Sequence, residues 1–458
     1  MTILRSRREL LRDGLAAAAG LSTRRGMLGL LGGAMAGTAG AAFSDYKALV
    51  CVFLYGGNDG YNVLVPNDDE RYPIYAATRG TIALSRDTLL PLQTSPAGAT
   101  PGSLYGLPPS MPEIQRLFDQ GRLAFIANVG TLLAPTTKAD FLAKRDLPPR
   151  LFSHNDQQES WQASQPDVTR RLGWSGRLAD LMSSANSNLR LPMNLSIAGN
   201  NLLQVGQTSR SYSLGAAGVL PLRSDSGPGG MERATAARAL MEASRAGGLF
   251  ERFGGELAER TVDLGAEIGA ALSGVGELKT AFPESSLASQ LKVVAKLIAA
   301  RKTLSMSRQV FFVSAGSFDT HIGQPARQAA LLTQVSQALG AFDAALSELG
   351  VRDSVTSFTA SDFGRTLTSN GDGTDHAWGN VHWVTGGAVK GGAVYGQFPD
   401  LTLDGVDDLG EGRLIPTTSV EQYGATMLKW FGAGTVQIGT IFPHLSRFAV
   451  NDLGFLNG

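Results

Sequence analysis

The sequence is poor in cysteine and histidine and has no excess of charge. Among 458 residues there are five histidines and one cysteine, Cys51, so no internal disulfide can form. Lysine plus arginine and aspartate plus glutamate number 40 each, which leaves no basic field that would favour a nucleic-acid partner. No run of about 18 uninterrupted apolar residues follows the N-terminal region, so we expect no transmembrane helix in the mature chain. Glycine is abundant instead, with 56 residues, which is typical of many tight turns.

The first 42 residues have the pattern of a targeting signal. Arg24 and Arg25 precede a weakly apolar run over residues 27–36, and an Ala-x-Ala match follows at residues 39–41. A twin-arginine export signal has this order, although a short buried N-terminal helix is the alternative. We therefore predict a signal peptide over residues 1–42, a single domain over residues 43–458, and a location in the periplasm or outside the cell.

Four apolar runs predict strands that are buried on both faces. They begin at Lys47, Arg122, Arg308 and Ser354. An uninterrupted run of apolar residues, rather than an alternation of apolar and polar residues, is typical of parallel strands. Helical periodicity separates the last two runs, which predicts a βαβ unit, and it recurs over residues 231–304. The predicted fold class is α/β, with a mostly parallel central sheet flanked by helices and a helical insertion at about residues 231–304.

Two further local predictions concern the C-terminal part of the chain. The segment around Gly391–Gly392 predicts the turn of a β-hairpin. The segment that follows Ser419 has the period of an amphipathic helix and should end at Gly432.

Carboxylates and histidines follow three of the predicted strands. The residues are Asp59, Asp319, His321, Asp362, Asp375 and His376. Ligands of open parallel sheets bind beyond the carboxyl ends of the strands, so we expect these side chains at a common rim. Clustered carboxylates repel one another and lose hydration unless a cation offsets that cost. Aspartate and histidine suit divalent ions. We predict one or two divalent metal ions, Zn²⁺, Mn²⁺, Mg²⁺ or Ca²⁺.

Each of these motifs also has a structural interpretation when it is taken alone. Asp59 could be a turn residue, and Asp319 with His321 could belong to the N-cap region of the helix from Gln324. The metal hypothesis therefore depends on the motifs occurring together.

A second group of polar residues is Ser153, His154 and Asp156. Adjacent residues on a strand point to opposite faces, so these three do not form a ready Ser-His-Asp triad, and no Gly-x-Ser-x-Gly motif is present. Ser153 could be a nucleophile activated by a metal, and His154 a ligand or a transition-state donor. The alternative is that both residues cap or orient a loop. Arg365 could clamp an anionic oxygen, or form a local ion pair instead.

The chain resembles a bacterial family, the domain of unknown function 1501. The motifs GGNDGYN, FSHNDQQESWQ, FDTH, SDFGRT and GTDHAWGN look like the landmarks of that family, in its order. The family is grouped with the alkaline phosphatase and sulfatase superfamily. The resemblance implies an alkaline phosphatase/sulfatase-like domain, two metal positions and ester hydrolysis. It also implies an exported partner from the domain of unknown function 1800 family.

The superfamily resemblance extends to individual site residues. Asp59 resembles the aspartate ligand after the first strand. Asp319 and His321 resemble an Asp-x-x-x-His pair, although the spacing here is shorter. His376 resembles the last histidine ligand. Asp362 matches the aspartate of a Ser-Asp-His-Gly strand end, but Phe363 replaces the histidine of that pattern. Asp375 could supply part of the metal coordination that this histidine would provide.

The leading hypothesis is an exported metal-dependent hydrolase of a phosphate or sulfate ester of unknown identity. The alternative is a non-catalytic cell-envelope protein that binds a partner protein or a polysaccharide on a degenerate sulfatase-like fold. Phe363 and the absence of an evident nucleophile favour the alternative, so the sequence leaves open whether the chain is an enzyme.

Overall fold

The computed structural model describes residues 43–93, 104–165, 167–168, 171–219 and 229–457. The predicted signal peptide lies outside these residues. The strands of the main sheet are β1 (Lys47–Leu54), β5 (Leu123–Gly130), β6 (Asn194–Ser196), β7 (Tyr212–Ser213), β8 (Arg308–Ala315), β9 (Val355–Ser361), β10 (Asn380–Thr385), β11 (Ala393–Tyr395) and β12 (Thr418–Ser419). A small second sheet contains β2 (Val65–Pro66), β3 (Leu90–Pro91) and β4 (Tyr105–Leu107).

Helices cover both faces of the main sheet. They are α1 (Arg71–Arg79), α2 (Pro112–Asp119), α3 (Lys138–Leu142), α4 (His154–Ala163), α5 (Trp174–Leu181), α6 (Gly230–Ser244), α7 (Leu249–Ser273), α8 (Ser286–Ala299), α9 (Gln324–Glu348), α10 (Val420–Phe431) and α11 (Thr435–Ile441). As expected, α10 ends where Gly432 adopts a φ of 109°, a left-handed conformation that glycine adopts without strain.

The main sheet is mostly parallel. Its strand order is β11-β5-β10-β9-β1-β8-β6-β7, and β12 pairs with β5. β10 runs antiparallel to both of its neighbours, whereas the other strand pairs are parallel. β8, α9 and β9 form the expected strand-helix-strand unit, with β1 lying between the two strands. The predicted α/β fold class is therefore confirmed.

The core has two layers, one on each face of the sheet. Successive residues of a strand point to opposite faces, so Val50 and Val52 of β1 pack into one layer and Cys51 and Phe53 into the other. Helices α2, α8 and α9 cover the first layer, and α5, α10 and α11 cover the second. Burial on both faces explains why the central strands are continuously apolar in sequence.

The hairpin prediction at Gly391–Gly392 is wrong. Both β10 and β11 pair with β5, which lies between them, so they do not pair with each other. The amides of Gly391 and Gly392 donate to the carbonyls of Gly121 and Leu123 at 3.2 and 2.9 Å. A Cβ on Gly391 would lie 2.5 Å from the backbone of Gly121, so glycine is needed there for close backbone approach rather than for a hairpin turn.

The range that was expected to be a helical insertion contains α6, α7 and α8. Of these, α8 lies in the core, and α6 packs against α7. Within the described part of the chain, no helix combines the length and apolarity that spanning a membrane would require.

Candidate metal centre

The candidate site lies where the carboxyl ends of β8 and β9 meet the N-terminus of α4. Asp319 and His321 lie in the loop that follows β8, and Asp362 follows β9 directly. The loop between β9 and β10 supplies Asp375 and His376. His154 is the first residue of α4, which packs against β9. Residues that are more than 200 positions apart in sequence are therefore brought together by the parallel strands.

Each of three histidines has its Nδ1 atom held by an oxygen. The pairs are His154 with Asp362 Oδ2 at 2.7 Å, His321 with Asp375 Oδ1 at 2.9 Å, and His376 with the Phe152 carbonyl at 2.8 Å. Each Nδ1 therefore donates, and each ring is fixed with Nε2 pointing away from its oxygen partner. Histidines that bind metals in proteins are commonly held in this way through the nitrogen that does not bind.

The three Nε2 atoms converge on the carboxylate of Asp319. Their distances to its oxygens are 3.5 Å from His154, 2.9 Å from His321 and 3.3 Å from His376. The Nε2 atoms of His321 and His376 are 3.0 Å apart. The side chains of the four residues are between 24% and 40% exposed, so solvent reaches the cluster.

The contact between His321 and His376 requires a positive species. A carbonyl can only accept, so Nδ1 of His376 carries the proton that is donated to Phe152. Burial lowers the pKa of His376, so the ring is neutral near pH 7 and its Nε2 presents a lone pair. That lone pair faces the Asp319 carboxylate and the Nε2 atom of His321. Either a proton on His321 or a cation among these atoms removes the repulsion.

Asp319 is held in its ionised form by a buried arginine. Arg365 Nη1 donates to Asp319 Oδ1 at 2.6 Å, and the same nitrogen donates to the Gly56 carbonyl at 3.3 Å. Partial burial acts to raise the pKa of Asp319, but the hydrogen bond and charge of Arg365, together with His321 and His154, lower it below its usual value. Asp319 therefore remains negatively charged at neutral pH.

Asp362 is buried and acts on His154. Its Oδ2 accepts from Gln158 Nε2 at 2.8 Å as well as from His154, and its Oδ1 accepts from the Gly56 amide at 3.2 Å. The hydrogen bond to Asp362 raises the pKa of His154, which outweighs the opposite effect of burial. Asp362 thus orients a histidine and increases its basicity.

Asp59 lies in a separate buried ion pair. Its Oδ2 accepts from an Nη2 donor of Arg79, on α1, and from Gln324 Nε2 at 2.5 Å. Arg79 offsets the charge of Asp59, whereas the buried Oδ1 atom of Asp59 has no hydrogen-bond partner among the described residues. A polar chain nonetheless runs from Gln324 through Thr374, at 2.5 Å, to Arg365 of the cluster.

The remaining predicted residues lie at the edge of the cluster. Ser153 precedes α4, and its hydroxyl donates to Asp156 at 2.8 Å rather than to a cluster residue. Arg365 is fully buried, so clamping a substrate oxygen would require its contacts with Asp319 and Thr374 to change. Phe363 lies against the rings of His154 and His376, with centroids 4.9 and 4.6 Å away, and those two rings also contact each other at 4.3 Å.

Sequence reasoning missed Gln158 and the Phe152 carbonyl. Gln158 follows His154 by four residues, so helical periodicity places both on the face of α4 that meets Asp362. That spacing could have identified it. Phe152 acts through its backbone, in a left-handed conformation with a φ of 73° that is uncommon outside glycine. No side-chain pattern signals such a role.

Comparisons with known proteins agree with the motif resemblance. The model of a family described as "Protein of unknown function (DUF1501)" matches residues 46–433. No curated protein matches the chain.

Solved structures with a similar fold are distant in sequence. The PsFucS1 sulfatase from Pseudoalteromonas sp. is 13% identical, with 78% of this chain and 66% of that chain covered and a TM-score of 0.30. The phosphonate monoester hydrolase of Agrobacterium radiobacter is 8% identical, with coverages of 84% and 74% and a TM-score of 0.33. The lipoteichoic acid synthase LtaP from Listeria monocytogenes is 8% identical, with 87% of this chain and 77% of that chain covered and a TM-score of 0.33. The chain spans just under two thirds of the sulfatase, and at these low scores its function must be inferred from its own side chains.

Proposed function

We propose that this chain, which belongs to the DUF1501 family, is a metal-dependent hydrolase that acts on a phosphate or sulfate ester. The observation that supports the proposal best is the convergence of three histidine Nε2 atoms on one carboxylate, with every Nδ1 atom already held by an oxygen. This arrangement leaves four ligand atoms directed at one another.

The distances between these atoms fit a small divalent ion. Zinc binds nitrogen and oxygen at about 2.0–2.1 Å, so two ligands of a tetrahedral zinc ion lie about 3.3 Å apart. The distances from Asp319 to His154 and His376, 3.5 and 3.3 Å, match this value, whereas His321 lies closer, 2.9 Å from Asp319 and 3.0 Å from His376. His154, Asp319 and His376 each offer a ligand atom within 4.8 Å of the others, and His321 lies beside them. Histidine-rich sites of this kind favour zinc over calcium.

The protein residues would divide the work as follows. His154, His321, His376 and Asp319 would hold the metal, while Asp362, Asp375 and Arg365 would orient these ligands. Arg365 also offsets part of the negative charge of the carboxylates. When bound, the metal would polarise an ester oxygen and stabilise the charge that develops as the bond to the leaving group breaks.

The ester class and the nucleophile are proposed from the sequence motifs. A phosphate or sulfate ester is what the resemblance around Asp362 and His376 implies for the superfamily. Ser153 remains the proposed nucleophile because it adjoins His154 in sequence, but its hydroxyl would have to leave Asp156 to attack. If residues 1–42 are an export signal, the enzyme would act in the periplasm or outside the cell, near a partner from the domain of unknown function 1800 family.

Hydrolysis assays test the proposal directly. The purified chain would be incubated with Zn²⁺ or Mn²⁺ and then with 4-nitrophenyl phosphate, 4-nitrophenyl sulfate and a panel of natural esters. We expect metal-dependent turnover that is lost in Asp319→Asn and retained in the matched control Asp69→Asn, since Asp69 is an exposed aspartate. Ser153→Ala would lose turnover while retaining metal.

A non-catalytic role has one specific observation in its favour. Phe363 packs against His154 and His376, at the position where the superfamily pattern has a polar ligand. Bound metal without turnover on any ester would support a structural metal in a partner-binding protein, and it would contradict the hydrolase.

A further inference from the structure

Helix α7 has one apolar face that is only half covered. Leu264, Ile268 and Ala271 lie on this face in the C-terminal half of the helix, where they are at most 6% exposed and pack into the core. The same helical spacing continues towards the N-terminus. There the side chains Leu249, Phe250, Phe253 and Leu257 are between 54% and 90% exposed.

Helix α6 does not cover this exposed face. It packs against the side of α7 that contains Gly255, where an added Cβ would meet Ser244, and Arg245 pairs with Glu259 on that side. The four apolar side chains, which we call the α7 stripe, therefore lie on a different face of the helix from α6. An exposed group of large apolar side chains on one helix face is typical of a surface that binds another protein or a membrane.

The charge around the α7 stripe disfavours an anionic lipid surface. The α6–α7 hairpin, residues 229–273, contains five arginines and seven carboxylates. Surfaces that bind anionic lipids have an excess of lysine and arginine instead. A protein partner with charges of both signs fits this hairpin better.

Two charged residues beside the stripe match a second copy of the helix. Arg252 and Glu256 are four residues apart, so they lie along one flank of the stripe. Among the described residues neither forms an ion pair, although the charge of Glu256 acts on Arg245 of the same hairpin. Nearby Asp263, in contrast, pairs with Arg190. If two copies of α7 pack antiparallel, with the two-fold axis of the pair at the level of Gly254, Arg252 lies opposite the partner subunit's Glu256. By symmetry, Glu256 then lies opposite the partner subunit's Arg252.

We propose that two copies of this chain form a homodimer through the α7 stripe, with the two α7 helices antiparallel. Such a contact is isologous, because each copy presents the same patch, and isologous dimers are the commonest oligomers. The two phenylalanines of each copy would bury about 300–500 Å², compared with about 800 Å² per partner in a typical stable interface. The leucines and the neighbouring hairpin surface would supply the remainder.

Sedimentation velocity on the purified full chain tests the dimer at concentrations of about 1–50 μM. We expect a dimer, and we expect Phe253→Glu or Leu249→Glu to weaken it at least tenfold, since each places a charge in the centre of the interface. Leu142→Glu is the matched control, because Leu142 on α3 and Leu249 are 73% and 71% exposed. This control should remain dimeric. Circular dichroism would establish that each variant is folded.

A charge exchange tests the antiparallel arrangement. Arg252→Glu and Glu256→Arg should each weaken the dimer, and the double variant should restore it, because both cross-pairs are then re-formed with the signs reversed. A wild type that is monomeric throughout would overturn the proposal, whether or not the stripe binds lipid vesicles or another protein. A dimer that survives Phe253→Glu would place the interface elsewhere and would equally overturn it.

Discussion

Two histidine clusters of this protein differ in what their ring nitrogens face. His444 lies between two carboxylates, with Nδ1 2.9 Å from Glu421 and Nε2 3.1 Å from Asp167. Both nitrogens have an acceptor, so this ring is satisfied as an imidazolium and has no free lone pair. In the candidate metal centre each ring has one nitrogen held, and the other faces a shared carboxylate or another ring. The first cluster is closed and structural, whereas the second has ligand atoms available for a cation.

The largest effect should come from breaking the closed cluster. Glu421 is buried, and in His444→Gln it would lose its ion-pair partner, with only the more distant charge of Arg177 still acting on it. Removing one partner of a buried ion pair costs about 3–5 kcal/mol. Urea unfolding should show a loss of this size, while metal binding should stay unchanged. A large loss of metal in this variant would mean that the two clusters are not independent.

The second-largest effect should be a loss of metal affinity in Asp319→Asn. Asp319 faces all three Nε2 atoms, and an amide is a much poorer ligand than a carboxylate. We expect affinity for Zn²⁺ to fall more than 100-fold, about 2.7 kcal/mol or more. Competition with a chelating dye measures the affinity. Equal affinities in Asp319→Asn and the control Asp69→Asn would contradict the assigned ligand.

A smaller effect is expected for Gln158→Ala. Gln158 donates to the carboxylate that holds His154, so its loss would loosen one ligand without removing it. Groups that orient metal ligands contribute about 10–100-fold to metal affinity. Gln158 orients Asp362, which in turn orients the ligand His154, so its hydrogen bond should contribute about tenfold or less. The exposed Gln120→Ala is the control for the same titration. A loss as large as that of Asp319→Asn would show that α4 itself is displaced.

The smallest effect concerns the dependence of stability on pH. The hydrogen bond to Glu421 raises the pKa of His444 above its usual value of 6.5. The folded protein therefore holds this proton to a higher pH than the unfolded chain. The resulting stabilisation is complete below about pH 6.5 and is lost as the pH rises through the folded pKa.

Between these two pKa values, the free energy of unfolding should fall by at most about 1.4 kcal/mol per pH unit. Urea titrations from pH 5 to 9 should show a steeper decline in the wild type than in His444→Gln. Parallel curves would show that His444 does not titrate differently in the folded state.

The sheet and most of the candidate site could be predicted because both depend on short local patterns. Continuously apolar runs identified β1, β5, β8 and β9, and the helical period between the last two identified α9. The polar residues after those strands then met at one edge because parallel strands share their carboxyl ends. The family expectation is confirmed by the match over residues 46–433.

The rest depended on contacts between distant parts of the chain. Asp59 resembles a ligand in sequence, but Arg79 lies 20 residues later on another element, and nothing local indicates that the two would pair. The turn at Gly391–Gly392 looks like a hairpin because the position of β5 between β10 and β11 is set by long-range pairing. The Phe152 carbonyl acts through backbone conformation, which side-chain patterns do not report.

Metal content is the most direct test of the central claim. Mass spectrometric metal analysis would be made on the folded wild type, His321→Ala and His444→Gln, each purified without chelators. We expect one or two divalent ions per chain in the wild type and in His444→Gln, and a clear loss of metal in His321→Ala. A wild type without bound metal, even after incubation with Zn²⁺ and Mn²⁺, would contradict it.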